Sequence, residues 1–91
     1  MTDKIQEALD LLQEECAEVI VEVSKIRRFG LETKHYKKDL THVQMLETEV
    51  GDVLALIDIL VEQGVLDIDR LAVAKTSKRT KLHQWSNLFK N

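Results

Sequence analysis

Two short acidic clusters hold the residues of this chain best suited to chemistry. Glu14, Glu15 and Glu18 fall within Glu14-Glu15-Cys16-Ala17-Glu18, and Glu49 and Asp52 within Glu49-Val50-Gly51-Asp52. Both clusters lie inside segments of helical period, beside or within an apolar stripe, where an uncompensated carboxylate is costly to hold. A divalent cation is the simplest agent that stabilises such a set. All-oxygen donors suit Mg2+, or alternatively Mn2+, and the usual client of a protein-held magnesium ion is a polyphosphate.

Successive helical residues stand about 100° apart. On that wheel Glu15, Glu18 and Glu22 share one strip beside the seam Ile5, Leu9, Leu12, Cys16, Val19, Val23, Ile26, with Glu14 at the strip's outer edge. In the second acidic segment Glu47, Gly51, Asp58 and Glu62 form a polar back face. Glu49 and Asp52 turn instead toward the side of Met45, Leu56 and Ile59. Glu14, Glu47 and Glu62, taken singly, read as solvated charges on helix faces. Glu15, Glu18, Glu49 and Asp52 together do not, because carboxylates brought within a few ångströms repel unless protonated, paired or metal-bound. Too few cations share their faces to pair with all four.

A di-iron carboxylate bundle also turns Glu residues inward, but it uses Glu-x-x-His pairs. Here the residue three after Glu15 is Glu18, the residue three after Glu49 is Asp52, and His35, His42 and His83 are not at ligand spacing. On a third helical segment Lys75 and Lys78 share the arc of Ile68, Leu71 and Leu82, with Arg79 next to it. Cations one turn apart beside an apolar face could reach over the acidic cluster and hold phosphate oxygens. The plainer reading is favourable charge toward a helix carboxyl end.

These residues need helices to position them, and the chain supplies three. The first reads from about 3 to 29, capped by Thr2 or Asp3, closed by Gly30, with Lys25, Arg27 and Arg28 in its last turn. At about 40 Å it is too long for a small domain to cover alone. Residues 31–40 lack a period and read as a basic connecting loop. Thr41 and Gln44 form a capping-box pattern that starts a second helix over 42–63, apolar around most of its circumference and so expected to be buried on several sides. Asp67 or Asp69 starts a third over 68–85, with Ile68, Leu71, Leu82 and Trp85 expected on its buried face. The predicted fold class is an all-α three-helix protomer, a single domain over 1–91. Its surplus apolar surface predicts assembly into a helical-bundle homodimer or homotetramer.

Composition agrees and excludes other classes. Of 91 residues, 44% are hydrophobic and 32% charged, which excludes generic disorder; proline is absent and glycine occurs only at 30, 51 and 64. A formal charge of −3 and a pI near 5.6 give no sign of a nucleic-acid scaffold. No apolar run approaches the ~20 residues that span a bilayer, and Met1 to Glu7 show no signal-peptide pattern. The single Cys16, in phase with the apolar seam, reads as a buried free thiol in a reducing compartment. A cytoplasmic location is therefore predicted.

Glu14-Glu15-x-x-Glu18 followed by Glu49-x-x-Asp52, each on a helix, resembles the MazG-like members of the all-α nucleoside triphosphate pyrophosphohydrolase superfamily. The resemblance covers roughly residues 10–80, is most specific over Glu49 to Leu54, and includes Arg27-Arg28-Phe29-Gly30, typical of small single-domain MazG-like proteins. It implies magnesium-dependent cleavage of an NTP or dNTP between the α and β phosphates, giving the monophosphate and pyrophosphate, by a dimer or tetramer. Matched position by position, Glu15, Glu18, Glu49 and Asp52 correspond to the metal ligands. Glu14 corresponds to the remaining acidic position, which orients or deprotonates the attacking water. The spacing between the motifs is on the long side, which makes loop 31–40 an elaboration, and Lys75-Thr76-Ser77-Lys78 lacks the Asn often found near the phosphate-contacting lysine.

Two other functions stand beside this one. Phosphoribosyl-ATP pyrophosphohydrolases, of the same superfamily, usually follow the second acidic motif with Tyr-His, whereas Asp52 here precedes Val53-Leu54-Ala55-Leu56. A non-catalytic helical dimer module would use the acidic patch to meet a basic partner and would bind no metal. His35, Tyr36 and Trp85 could stack on a nucleotide base, though Trp85 also reads as core.

Overall fold

Three local stop-and-start signals divide the chain into helices, and the computed structural model, which describes residues 1–91, places them at α1 (Asp3–Phe29), α2 (His42–Glu62) and α3 (Ile68–Trp85). The Thr2 hydroxyl accepts the Ile5 N–H at 3.2 Å and so caps α1. Gly30, at φ 96°, donates its N–H to the Ile26 carbonyl and takes a backbone conformation that only glycine adopts without strain. The capping box at α2 is complete: Thr41 Oγ1 accepts the Gln44 N–H at 3.2 Å, and Gln44 Oε1 accepts the Thr41 N–H at 2.9 Å. Asp67, rather than Asp69, caps α3 by accepting the Arg70 N–H at 2.9 Å.

α1 and α2 form an antiparallel hairpin and pack along their length. The loop between them is ordered. His35 donates its N–H to the Leu40 carbonyl at 2.9 Å, His42 to Thr33 at 3.0 Å and Val43 to Leu31 at 2.9 Å, and Lys34 and Thr41 form an isolated antiparallel bridge. No strand is present.

The covered face of α1 keeps most of the expected seam, with Ile5, Leu9, Leu12, Val19 and Ile26 half-buried, but it is shifted to one side. Ala8 and Glu22 are buried and Glu15 is half-buried, all on one strip, whereas Cys16 and Val23 of the expected seam are exposed. The reading of Cys16 as a buried thiol is therefore corrected. α1 is rolled toward its acidic strip by less than one residue step, so Glu15 and Glu22 lie at the helix–helix seam while Glu18 stays exposed. α2 is also less covered than its composition suggests: only His42, Met45 and Leu60 are buried, and Leu54 is 56% exposed.

α3 leaves this pair and packs along neither helix, so no residue of it is buried. The expected inner face of α3 is corrected accordingly. Ile68 and Trp85 are 68% and 80% exposed, and Leu71 and Leu82 are only half-buried. The flat outline, 41 × 38 × 14 Å, and a radius of gyration of 16.1 Å follow from that departure; a compact chain of this length has a radius of about 12 Å.

Candidate functional site

The roll of α1 has a direct electrostatic consequence. It sets Glu15 opposite Glu49 and Asp52, which stand one turn apart on α2, and a carboxylate oxygen from each of the three lies within 4.8 Å of the other two. The Glu15 carboxyl is pushed up from its usual value to about 7. A hydrogen bond to Glu49 contributes most, then burial, then repulsion from Asp52, Glu49 and Glu14. A carboxyl that keeps its proton near neutrality because it bonds to one carboxylate and is crowded by others would be relieved by an opposing charge.

The donor set fits a hard divalent cation. Oxygens around an octahedral Mg2+ stand about 3 Å apart where adjacent and about 4 Å where opposite, so the trio would have to draw closer together to share one ion. Oxygen-only donors without imidazole or thiolate also fit magnesium or manganese better than iron or zinc.

The other site residues named above lie at varying distances from this centre. Glu18 is on α1 one turn beyond Glu15, exposed and outside the trio. Glu14 is exposed and close enough for its charge to act on Glu15. Lys75, Lys78 and Arg79 are exposed on α3 and are not brought to the cluster within the protomer, because α3 does not fold back over α1 and α2.

Further along the same α1 strip the composition changes. Glu22 is 4% exposed; its Oε1 accepts from Lys25 Nζ at 3.4 Å and its Oε2 has no partner. On the facing end of α2, His42 is likewise 4% exposed with Nδ1 unpartnered. Around them loop 31–40 closes a cleft of about 270 Å³ lined by Lys25, Arg28, Phe29, Lys34, His35 and His42, with Thr33 and Tyr36 at its edge. His42 stacks on Phe29 with ring centres 5.6 Å apart, and His35 stacks on Tyr36 at 4.8 Å and meets His42 edge-on at 6.1 Å. Partial burial first, then the positive charges of Lys25 and Lys38 and the His42 ring, lower the affinity of His35 for a second proton.

Sequence reasoning gives no role to Glu22 or His42. The available signals were the strip Glu15–Glu18–Glu22 and the position of His42 as the first residue after the cap.

The chain is all-helical and brings together a carboxylate trio that could hold a divalent cation. The MazG nucleotide pyrophosphohydrolase domain matches residues 3–85, from the first residue of α1 to the last of α3, and the chain belongs to that family. Comparison with curated proteins and with solved structures gave no match. The family implies a nucleotide substrate and general metal dependence. No helix is long and apolar enough to cross a membrane.

Proposed function

We propose that this chain, as one domain over 1–91, is a magnesium-dependent nucleoside triphosphate pyrophosphohydrolase that converts an NTP or dNTP and water to the monophosphate and pyrophosphate. The observation that carries the reading is the approach of Glu15, Glu49 and Asp52 to within 4.8 Å of one another. Glu18, one turn from Glu15, supplies a fourth carboxylate by a rotamer change, and Mn2+ is an acceptable substitute for Mg2+. An ion held by Glu15, Glu49 and Asp52 would neutralise phosphate charge, help to orient the α phosphorus for in-line attack and acidify water.

Within that arrangement Glu14 is the residue that orients the attacking water and takes its proton. Its exposure beside Glu15 leaves it free to reach a water about 3 Å away. Water attacks the α phosphorus, the α–β bridging bond breaks, and pyrophosphate leaves with the bridging oxygen.

Lys75, Lys78 and Arg79 are assigned to the phosphates through assembly. In a homodimer, or a homotetramer built from it, α3 of one copy covers the α1–α2 pair of the other. The exposed Ile68, Val73 and Trp85 of α3, and Leu54 and Ile20 of the hairpin, supply the apolar surface for that contact. The exposed Cys16 thiol suits a reducing, cytoplasmic setting.

The test is a panel of NTPs and dNTPs with magnesium, assayed for monophosphate and pyrophosphate. Stoichiometric release of both supports the assignment. Phosphoribosyl-ATP is included, because turnover of that compound alone would reassign the chain to histidine biosynthesis. Absence of turnover, together with a melting temperature unmoved by millimolar Mg2+, would make the chain a non-catalytic helical module.

A further inference from the structure

The cleft at the α1–loop–α2 corner combines a built cavity with one unsatisfied polar group in its lining and a second outside that lining. His42, nine-tenths buried and lining the cleft, has no partner for Nδ1, and Glu22, equally buried behind Lys25, has none for Oε2. Buried polar groups are nearly always partnered, so two unpaired ones at one corner point to a site completed by something else. A volume of about 270 Å³ is just under the roughly 300 Å³ floor for small-molecule pockets; it holds a ring system, not a whole nucleotide. The walls supply stacking surfaces in Phe29, His42, His35 and Tyr36.

The cleft lies at one end of the seam that holds the carboxylate trio. From Glu49 to His42 is seven residues, roughly 10 Å along α2, and from Glu15 to Lys25 ten residues, roughly 15 Å along α1. An extended nucleotide with its phosphates at the trio reaches the cleft with its base. The polar lining is rich in donors: Lys25, Arg28 and Lys34 have no acceptor atom, and although Lys25 Nζ donates to Glu22 at 3.4 Å and Lys34 Nζ to Asp39 at 2.7 Å, each ammonium keeps further hydrogens. His35 Nδ1 already accepts the Lys37 N–H at 3.0 Å, which leaves the Nε2–H of the neutral ring as a donor. We infer that this cleft receives the base of the nucleotide and favours uracil, thymine and guanine, which present a carbonyl oxygen (O4 or O6) to these donors where cytosine and adenine present an amino group. This rests on the pyrophosphohydrolase reading only for the position of the phosphates.

The test uses nucleoside monophosphates without metal, so that binding is read apart from turnover. The imidazole resonances of His35 and His42 are followed while UMP, GMP, CMP, AMP or inorganic phosphate is added to the full chain in EDTA. UMP and GMP are expected to shift both histidines, with CMP and AMP at least about tenfold weaker. Tyr36→Ala, at a position 84% exposed and so harmless to the fold, is expected to weaken UMP about tenfold. Equal response to all four monophosphates, no response at the histidines, or the same shifts from inorganic phosphate would each overturn the inference. Glu49→Gln keeps the UMP response if the cleft reads the base. A chain that binds UMP there yet releases no pyrophosphate places the failure in the reaction and not in the cleft.

Discussion

Glu15 on α1 faces Glu49 on α2 across the seam, and the hydrogen bond between them is the first reason that Glu15 keeps its proton to about pH 7. Below that value the protonated Glu15 donates to Glu49. Above it three negative oxygens crowd within 4.8 Å and the pair repels.

A pH dependence follows with a definite sign. The folded-state value of Glu15 lies above the unfolded one of 4.5, so its stabilisation is fully present below 4.5 and is lost as pH rises through about 7. Without divalent cation the melting temperature should fall across that window. With millimolar Mg2+ the fall should shrink or reverse, because the ion replaces the proton. Calorimetry at pH 5, 6, 7 and 8, with EDTA and with Mg2+, reads both curves, and coincidence of the two would remove the cation from the trio.

Removing one of the facing carboxylates separates stability from activity. Glu49→Gln and Asp52→Asn each delete a charge from the crowded trio, so without metal both variants should melt at or above the wild-type temperature at pH 8. Activity should drop by at least about a hundredfold, the upper range seen even for residues that only support metal ligands. Far-ultraviolet circular dichroism should be unchanged. Wild-type turnover in either variant would contradict the proposed centre.

The start of α2 positions both Glu49 and His42, and a local device holds it. Thr41→Ala breaks the capping box and should cost about 1 kcal/mol, a fall of roughly 4–8 °C in melting temperature for a chain of this size. Thr41→Ser, which keeps the hydroxyl, should recover most of that loss in the same melting assay. A full loss in the serine variant would mean that the methyl group, not the cap, holds this corner.

Helix existence and helix ends were legible because their causes are local. Thr2, Gly30, the Thr41–Gln44 pair and Asp67 act within one turn of themselves, and the observed ends differ from the expected ones by one residue, at Glu62. How far the covered face of α1 extends beyond the apolar seam, to Ala8, Glu15 and Glu22, was not legible. Ala8–Glu15–Glu22 and Leu9–Cys16–Val23 are adjacent strips with the same period, and periodicity does not say which strip meets which neighbour. The carboxylates were identified by chemical type and spacing, yet their depth in the seam depended on that roll. The cleft of loop 31–40 left no periodic trace, since it is closed by backbone hydrogen bonds between residues such as His42 and Thr33.

The exposed α3 yields a test of whether one site draws on two copies. In the proposed dimer, the carboxylate trio of one chain works with Lys78 of the other. Glu49→Gln and Lys78→Ala are each expected to be impaired alone when assayed below KM. If the two are unfolded together and refolded, half of the dimers are mixed. Each mixed dimer carries one site with the Lys78→Ala chain's intact trio and the Glu49→Gln chain's intact lysine. Activity should therefore recover to about a quarter of the wild-type value. If Lys78 instead serves its own chain, every site in the mixed dimer carries one lesion and no recovery occurs. Sedimentation of the wild type supplies the control: a species heavier than the 10.5 kDa chain is required, and a monomer at assay concentration would exclude the shared site whatever the mixture shows.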